Sequence, residues 1–158
     1  MVEMMIVVLI IAILSAFAVP AMQSMIRTQQ VKTISFDIFA SLMLARSEAI
    51  KRNVNVAMTP LAGGWTAGWT VTDANGNVLR NQEYSASNAS VTVAGPVNVV
   101  YNSSGRVTAV PAPFVLTSNA IEAAIRDDQE RCVFVDLSGR PRSGYGKTSA
   151  PNNPGICP

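Results

Sequence analysis

Three cations lie close together near the end of the sequence, in GRPRSGYGK at residues 139–147, which contains no acidic residue. Arg140 and Arg142 are two residues apart, so their side chains point to the same side of an extended segment. Pro141 fixes φ between them and prevents the helix that would separate them. Guanidinium groups bind phosphate oxygens through two parallel hydrogen bonds, and Lys147 adds a third charge. The segment therefore predicts a site for a polyanion.

Tight turns would present these cations. Gly139 follows a predicted strand, where a residue with positive φ makes a tight turn. The similar segment SSGRV places Arg106 after a second turn and makes it an auxiliary contact. Nothing in either segment predicts a helix that reads base edges. Contacts to phosphates alone would be independent of nucleotide sequence, weak for each subunit and strongly dependent on salt.

The composition excludes most other chemistry. The 158 residues correspond to about one domain, with a net charge of only +2. Histidine is absent and there are two cysteines, which removes histidine-based catalysis and most zinc sites. The sequence contains no pair of catalytic carboxylates, activated nucleophile or phosphate-binding glycine loop. We therefore expect a protein that is not an enzyme and needs no cofactor.

One long helix is predicted before the basic segment. Residues 4–22 carry no charge. As a helix they would be about 28 Å long, close to the hydrocarbon thickness of a bilayer, which predicts a membrane-spanning segment. Apolar residues then recur every three or four positions until Asn53, which predicts an amphipathic continuation. The predicted parts are a membrane-spanning helix at 1–23, its amphipathic half at 24–53 and a β-rich head at 54–158.

The head is predicted to be an antiparallel β structure. Alternating segments separated by turn signals every eight to twelve residues indicate roughly six to eight short strands. The amphipathic half of the helix would cover one sheet face, so the fold class is α+β. Trp65 and Trp69 could stack on a base, but packing in the core or at a sheet edge is favoured.

Glu3 and the two cysteines have two interpretations each. A carboxylate beside an apolar run is costly in lipid unless it is paired, so Glu3 either lies at the headgroup level or pairs with a cation of a neighbouring subunit. In an oxidising compartment Cys132 and Cys157 would form a disulfide that holds the basic segment on the sheet. The alternative is two free thiols.

The opening VEMMIVVLIIAILSAFAVPAM resembles the mature start of the type IV pilin superfamily. LARSEAIKRN at residues 44–53, SGRV and RCVFVDLSGRPR resemble the GspH/FimT group of minor pilins and pseudopilins, and the resemblance covers essentially the whole chain. It implies the type IV pilin fold, an inner-membrane protein with its head in the periplasm, and later insertion into a pilus beside other pilins. It also implies that Glu3 pairs with the N-terminal amine of a neighbour. Family precursors carry a short basic leader, a glycine and then a phenylalanine that becomes the methylated N terminus, and that phenylalanine would fall about two residues before Met1.

A GRxR motif near the C terminus is associated in the FimT group with DNA binding during natural transformation. Gly139, Arg140 and Arg142 match this motif. The resemblance therefore implies a minor pilin whose partner is DNA, bound through this motif with Lys147 and Arg106 nearby. The alternative is a structural minor pilin or pseudopilin that primes the assembly of a pilus or a type II secretion pseudopilus.

Overall fold

The fold consists of one long helix and a β-rich head, in a computed structural model that describes residues 2–84, 91–118 and 130–145. Helix α1 spans Val2–Arg52. The strands in the described ranges are β1 (Val56–Leu61), β2 (Gly64–Asp73), β3 (Val78–Glu83), β4 (Val91–Ala94), β5 (Val99–Tyr101), β6 (Phe114–Ser118), β7 (Arg131–Val135) and β8 (Pro141–Tyr145). The predicted α+β class is confirmed.

Helix α1 ends where the sequence predicts. Asn53 has a φ of 55°, the left-handed conformation that commonly follows the last helical residue. Lys51 and Arg52 lie in the last turn, where positive charge interacts favourably with the helix dipole. Arg52 also forms ion pairs with Glu48 at 2.5 Å and with Asp73 at 3.4 Å, so the helix end is tied to the end of β2.

The first part of α1 extends away from the head. Its described side chains between Val2 and Ser15 are exposed. The sequence predicts a membrane-spanning segment at residues 4–22, but in the ranges that the structure describes no helix combines the length and the apolar character needed to cross a membrane. The predicted span is therefore not confirmed.

Two antiparallel sheets form the head. The first has the strand order β3-β2-β1-β5, and the second has the order β4-β6-β7-β8. The amphipathic half of α1 contributes an apolar stripe to the core that it forms with both sheets, as its three-and-four spacing requires. The buried residues of this stripe are Val31, Ile34, Ile38, Leu42, Ala45 and Ala49.

Both tryptophans belong to this core. Trp69 is fully buried, and its indole Nε1–H donates to the Ser41 hydroxyl at 2.9 Å. The ring of Trp65 meets the edge of Phe114 with centroids 4.8 Å apart, and its Nε1–H donates to the carbonyl of Pro96. Neither ring is available to stack on a nucleotide, so the predicted packing role is the one observed.

Candidate nucleic-acid interface

The predicted arginine pair lies at the turn between β7 and β8. Arg140 is the last residue of the turn and is exposed, and Arg142 is the second residue of β8, with 65 % of its side chain exposed. Pro141 between them is buried. This alternation directs both guanidinium groups away from the core, on the same side of the strand.

A hydrogen-bonded loop forms the turn at residues 136–140. The Asp136 carboxylate accepts hydrogen bonds from the Ser138 hydroxyl at 2.5 Å and from the backbone N–H of Arg140 at 3.0 Å. Gly139 has a φ of 77° and donates its N–H to the carbonyl of Asp136 at 2.9 Å. These bonds fix the backbone from which Arg140 projects.

Asp136 is the acidic neighbour of the arginine pair. The Ser138 hydroxyl and then the N–H of Arg140 lower the pKa of Asp136, while the charge of Arg142 contributes least. Arg142 Nε lies 3.8 Å from Asp136 Oδ2, and exposed ion pairs of this kind are worth about 0–1 kcal/mol. Because the Arg142 side chain is mostly exposed and this ion pair is weak, a phosphate can compete for its guanidinium group.

A second turn at residues 102–106 repeats this geometry. Asn102 Oδ1 accepts hydrogen bonds from the Ser104 hydroxyl at 2.8 Å and from the N–H of Arg106 at 3.0 Å. Gly105 has a φ of 71° and donates to the carbonyl of Asn102 at 2.8 Å. Arg106 follows this glycine as Arg140 follows Gly139, and both arginines are exposed.

These two turns, called the twin turns below, are packed against each other. A Cβ atom on Gly139 would lie 2.1 Å from the Gly105 carbonyl oxygen and 3.2 Å from the Cα of Arg106. The Cα atoms of Arg106 and Arg140 are consequently less than about 9 Å apart. Gly139 is itself buried, so it serves the predicted site by allowing this contact.

A third turn at residues 73–77 has the same hydrogen bonds without an arginine. Asp73 Oδ1 accepts from the N–H groups of Asn75 and Asn77, and Gly76 has a φ of 83°. No atom lies within 4 Å of a Cβ built on Gly76. The turn is therefore a general hairpin connection of this fold. The twin turns differ in their mutual contact and in the arginine that follows each glycine.

Sequence reasoning missed one residue of this region, Arg46. Helical periodicity assigns it to the polar faces of α1. In the structure its Nε–H donates to the Gly105 carbonyl at 3.0 Å and its Nη2 donates to the Ser138 carbonyl at 3.3 Å. It therefore bonds to both twin turns. Its position inside LARSEAIKRN was the available signal, but no local pattern identifies its acceptors.

Two other predicted site residues that the structure describes, Cys132 and Glu3, are not part of the twin turns. Cys132 is fully buried on β7, opposite Gly144 of β8. Its neighbour Val133 faces the core, so strand alternation places Cys132 on the outer face of the sheet. Lys147 and Cys157 lie outside the described residues. Glu3 is exposed in the first turn of α1.

A long helix packed on antiparallel sheets is also the architecture of a solved minor pilin. The chain is similar to the type IV minor pilin FimU of Pseudomonas aeruginosa strain PAO1 in two crystal forms. The first gives a TM-score of 0.59 at 18 % identity and covers 75 % of this chain and 98 % of that one. The second gives 0.58 at 18 % identity, with 77 % and 92 % covered. This protein therefore has the type IV pilin fold.

The sequence comparison is consistent with that fold. Residues 37–139 match the family described as Type II transport protein GspH. The match extends over more than half of the sequence, from the amphipathic half of α1 to the glycine of the second twin turn. The chain belongs to the GspH family. A search of curated proteins finds no match.

Proposed function

We propose that this minor pilin of the GspH family binds DNA through its phosphate backbone, without sequence preference, during DNA uptake in natural transformation. The binding site is the arginine surface, defined as Arg106, Arg140 and Arg142. The observation that carries the proposal is that Arg140, at the end of the β7–β8 turn, and Arg142, on β8, are both exposed on one side of the chain, with the Cα of Arg106 less than about 9 Å from that of Arg140.

The local charge favours a polyanion. The three arginines are exposed, and the Asp136 carboxylate beside Arg140 and Arg142 already accepts hydrogen bonds at Oδ1 from Ser138 and Arg140. Arginine forks bind phosphate oxygens in a bidentate manner and do not require a particular base. Two to four phosphate contacts on each subunit give weak, salt-dependent binding, which suits a pilus that must capture and release DNA of any sequence.

The rest of the chain would supply the setting for this site. In the proposal α1 packs against other pilins, Glu3 pairs with the N-terminal amine of a neighbour, and the protein resides in the inner membrane with its head in the periplasm before assembly into the pilus. In the proposal Lys147 adds a further positive charge to the GRPRSGYGK segment. A Cys132–Cys157 disulfide holds the segment that carries it. The burial of Cys132 on the outer sheet face supports a covering partner there.

The test measures the affinity of the full chain for DNA in a nonionic detergent. Fluorescence anisotropy with a labelled short duplex, and with its single strand, is recorded between about 50 and 200 mM salt. In the variant Arg140→Gln with Arg142→Gln, the slope of log K against log salt on duplex DNA should become less negative by about 1.8, because two phosphate contacts are lost. Arg27→Gln is the matched control, since Arg27 lies on α1 about 28 Å along the helix from Arg46.

A second candidate function is a structural minor pilin or pseudopilin that primes assembly. The arginine-free turn at residues 73–77 favours it, because it shows that the fold uses this turn where no ligand is expected. The same experiment separates the two functions. A wild-type chain with no salt-dependent affinity for DNA, or a double variant with the wild-type slope, would leave only the structural role.

A further inference from the structure

We infer that Arg46 is a positioning residue that clamps the twin turns together, so that Arg106 contributes to phosphate binding as strongly as Arg140. The inference rests on the proposed function for its ligand, the DNA phosphate backbone. It goes beyond that proposal because it adds a residue outside the GRPR segment and makes the site a property of two turns. Arg46 itself is half-buried and bonds to backbone carbonyls, so it acts through the turns.

The guanidinium group of Arg46 bonds to both twin turns. One guanidinium group donates to the carbonyls of Gly105 and Ser138, which are 59 and 92 residues away in the sequence. The first turn follows β5 of one sheet, and the second joins β7 and β8 of the other sheet. Arg46 therefore links α1 to both sheets at one point. The planar, rigid fork of arginine suits this two-acceptor role better than a lysine ammonium.

Helix α1 holds Arg46 in place against the twin turns. Ala45 and Ala49, beside Arg46 on α1, are fully buried against the sheets. Ile50 packs so closely on the first turn that a Cβ on Gly105 would lie 2.6 Å from its Cδ1 atom and 3.3 Å from Arg46 Nε. The first turn therefore rests directly on α1. The second turn rests on the first through the contact between Gly139 and Gly105.

Arg106 and Arg140 occupy equivalent positions in the twin turns. From the residue before each turn to the residue after it, the twin turns share the same order of buried, half-buried and exposed positions. Each carbonyl to which Arg46 donates lies within two residues of the arginine that projects from the same turn. Holding both carbonyls thus fixes the origins of Arg106 and Arg140 relative to each other. A pair of cations held at a fixed separation suits a ligand with repeated phosphates.

The first arm of the test needs no DNA. In the full chain in detergent micelles, the wild type should show an NMR cross-relaxation signal between the Hα protons of Gly139 and Arg106, since the Cβ position of Gly139 is 3.2 Å from the Arg106 Cα. Arg46→Gln should lose or strongly weaken this signal, and Arg46→Lys should retain part of it. A full signal in Arg46→Gln overturns the clamp.

The second arm is a double-mutant cycle on DNA affinity. Arg106→Gln should make the salt slope less negative by about 0.9 in the wild-type background, the same change as expected for Arg140→Gln, and by much less in the Arg46→Gln background. A residue that only stabilised the fold would lower the melting temperature and leave the effect of Arg106→Gln unchanged. An equal effect of Arg106→Gln in both backgrounds therefore overturns the inference, and so does a wild-type slope in Arg106→Gln.

The arms also separate this inference from the proposed function. If the wild type does not bind DNA, the proposed function fails, and the cross-relaxation signal still decides whether Arg46 clamps the turns. If circular dichroism shows that Arg46→Gln does not fold, Arg46→Lys replaces it in both experiments. It keeps the charge and loses the fork, so an undiminished signal together with an undiminished effect of Arg106→Gln overturns the inference.

Discussion

Replacing Gly139 by alanine tests the contact between the twin turns directly. Gly139 has a φ of 77°, and the left-handed conformation costs a residue with a Cβ about 1–2 kcal/mol. The new Cβ would also lie 2.1 Å from the carbonyl oxygen and 3.1 Å from the carbonyl carbon of Gly105. Both are backbone atoms that cannot rotate away, so the turns must separate, and overpacking of this kind costs about 1–3 kcal/mol.

The turn at residues 73–77 provides a matched control. Gly76 occupies the same position in the same hydrogen-bonded turn, with a φ of 83°, but no atom lies within 4 Å of its Cβ position. Gly76→Ala therefore carries only the backbone cost of about 1–2 kcal/mol. Subtracting the two effects removes that cost, and the remaining difference of about 1–3 kcal/mol in the free energy of unfolding measures the contact.

Urea unfolding followed by tryptophan fluorescence is a suitable assay. Trp65 and Trp69 are both buried in the core that α1 forms with the sheets, so their emission reports the loss of that core. The two alanine variants should have similar m-values and different midpoints. Equal losses of stability in Gly139→Ala and Gly76→Ala, within about 0.5 kcal/mol, would show that the twin turns are not packed together and would also remove the basis for the clamp.

Two further predictions concern acid and reducing conditions. The pKa of Asp73 is held below its ordinary value of 3.8 by the side-chain amide of Asn77, then by the N–H groups of Asn77 and Asn75 and by the charge of Arg52. The stabilising effect of the Asp73 carboxylate is therefore complete above pH 3.8 and is lost as the pH falls through the lowered pKa. Between about pH 5 and pH 2, the melting temperature of Asp73→Asn should therefore fall less than that of the wild type. An equal fall in the two proteins would contradict this. Reductant should lower the free energy of unfolding of the wild type by roughly 3–4 kcal/mol and weaken DNA binding, while Cys157→Ser should be insensitive to it. A wild type that does not respond to reductant would show that Cys132 and Cys157 are not paired.

Local sequence patterns predicted the helix and its buried face. The stripe from Val31 to Ala49 follows the three-and-four spacing because one side of an α-helix must be covered by the sheets. The end at Asn53 follows from a change in period and from a residue that tolerates positive φ. Turn glycines such as Gly139 could also be predicted, since a tight turn requires a residue with positive φ, which other residues adopt at a cost.

The clamp could not be predicted in the same way. Arg46 lies on the polar side of the helical pattern, and its acceptors are carbonyls 59 and 92 residues away. Backbone acceptors have no sequence signature, because every residue carries one. The similarity between SGRV and SGRP was visible, but the contact between the two turns depends on how two sheets meet. Periodicity within a strand contains no information about that arrangement.

The three copies of the turn separate what the fold requires from what the proposed site requires. The glycine and the side-chain acceptor four residues before the turn's end recur in all three copies, because they satisfy the backbone of any such connection. The residue after the glycine is asparagine in one copy, where its side-chain amide also donates to Asp73 Oδ2 at 2.9 Å. It is arginine in the two copies that touch, and there Arg106 and Arg140 enter the bonding through their backbone N–H groups. Substitution of Arg106 or Arg140 can therefore change DNA affinity without altering the turn. Substitution of Gly139 or Arg46, by contrast, alters the relative positions of both arginines. Loss of DNA affinity in Arg140→Gln with unchanged stability, beside loss of both in Gly139→Ala, is the pattern that this division of roles requires.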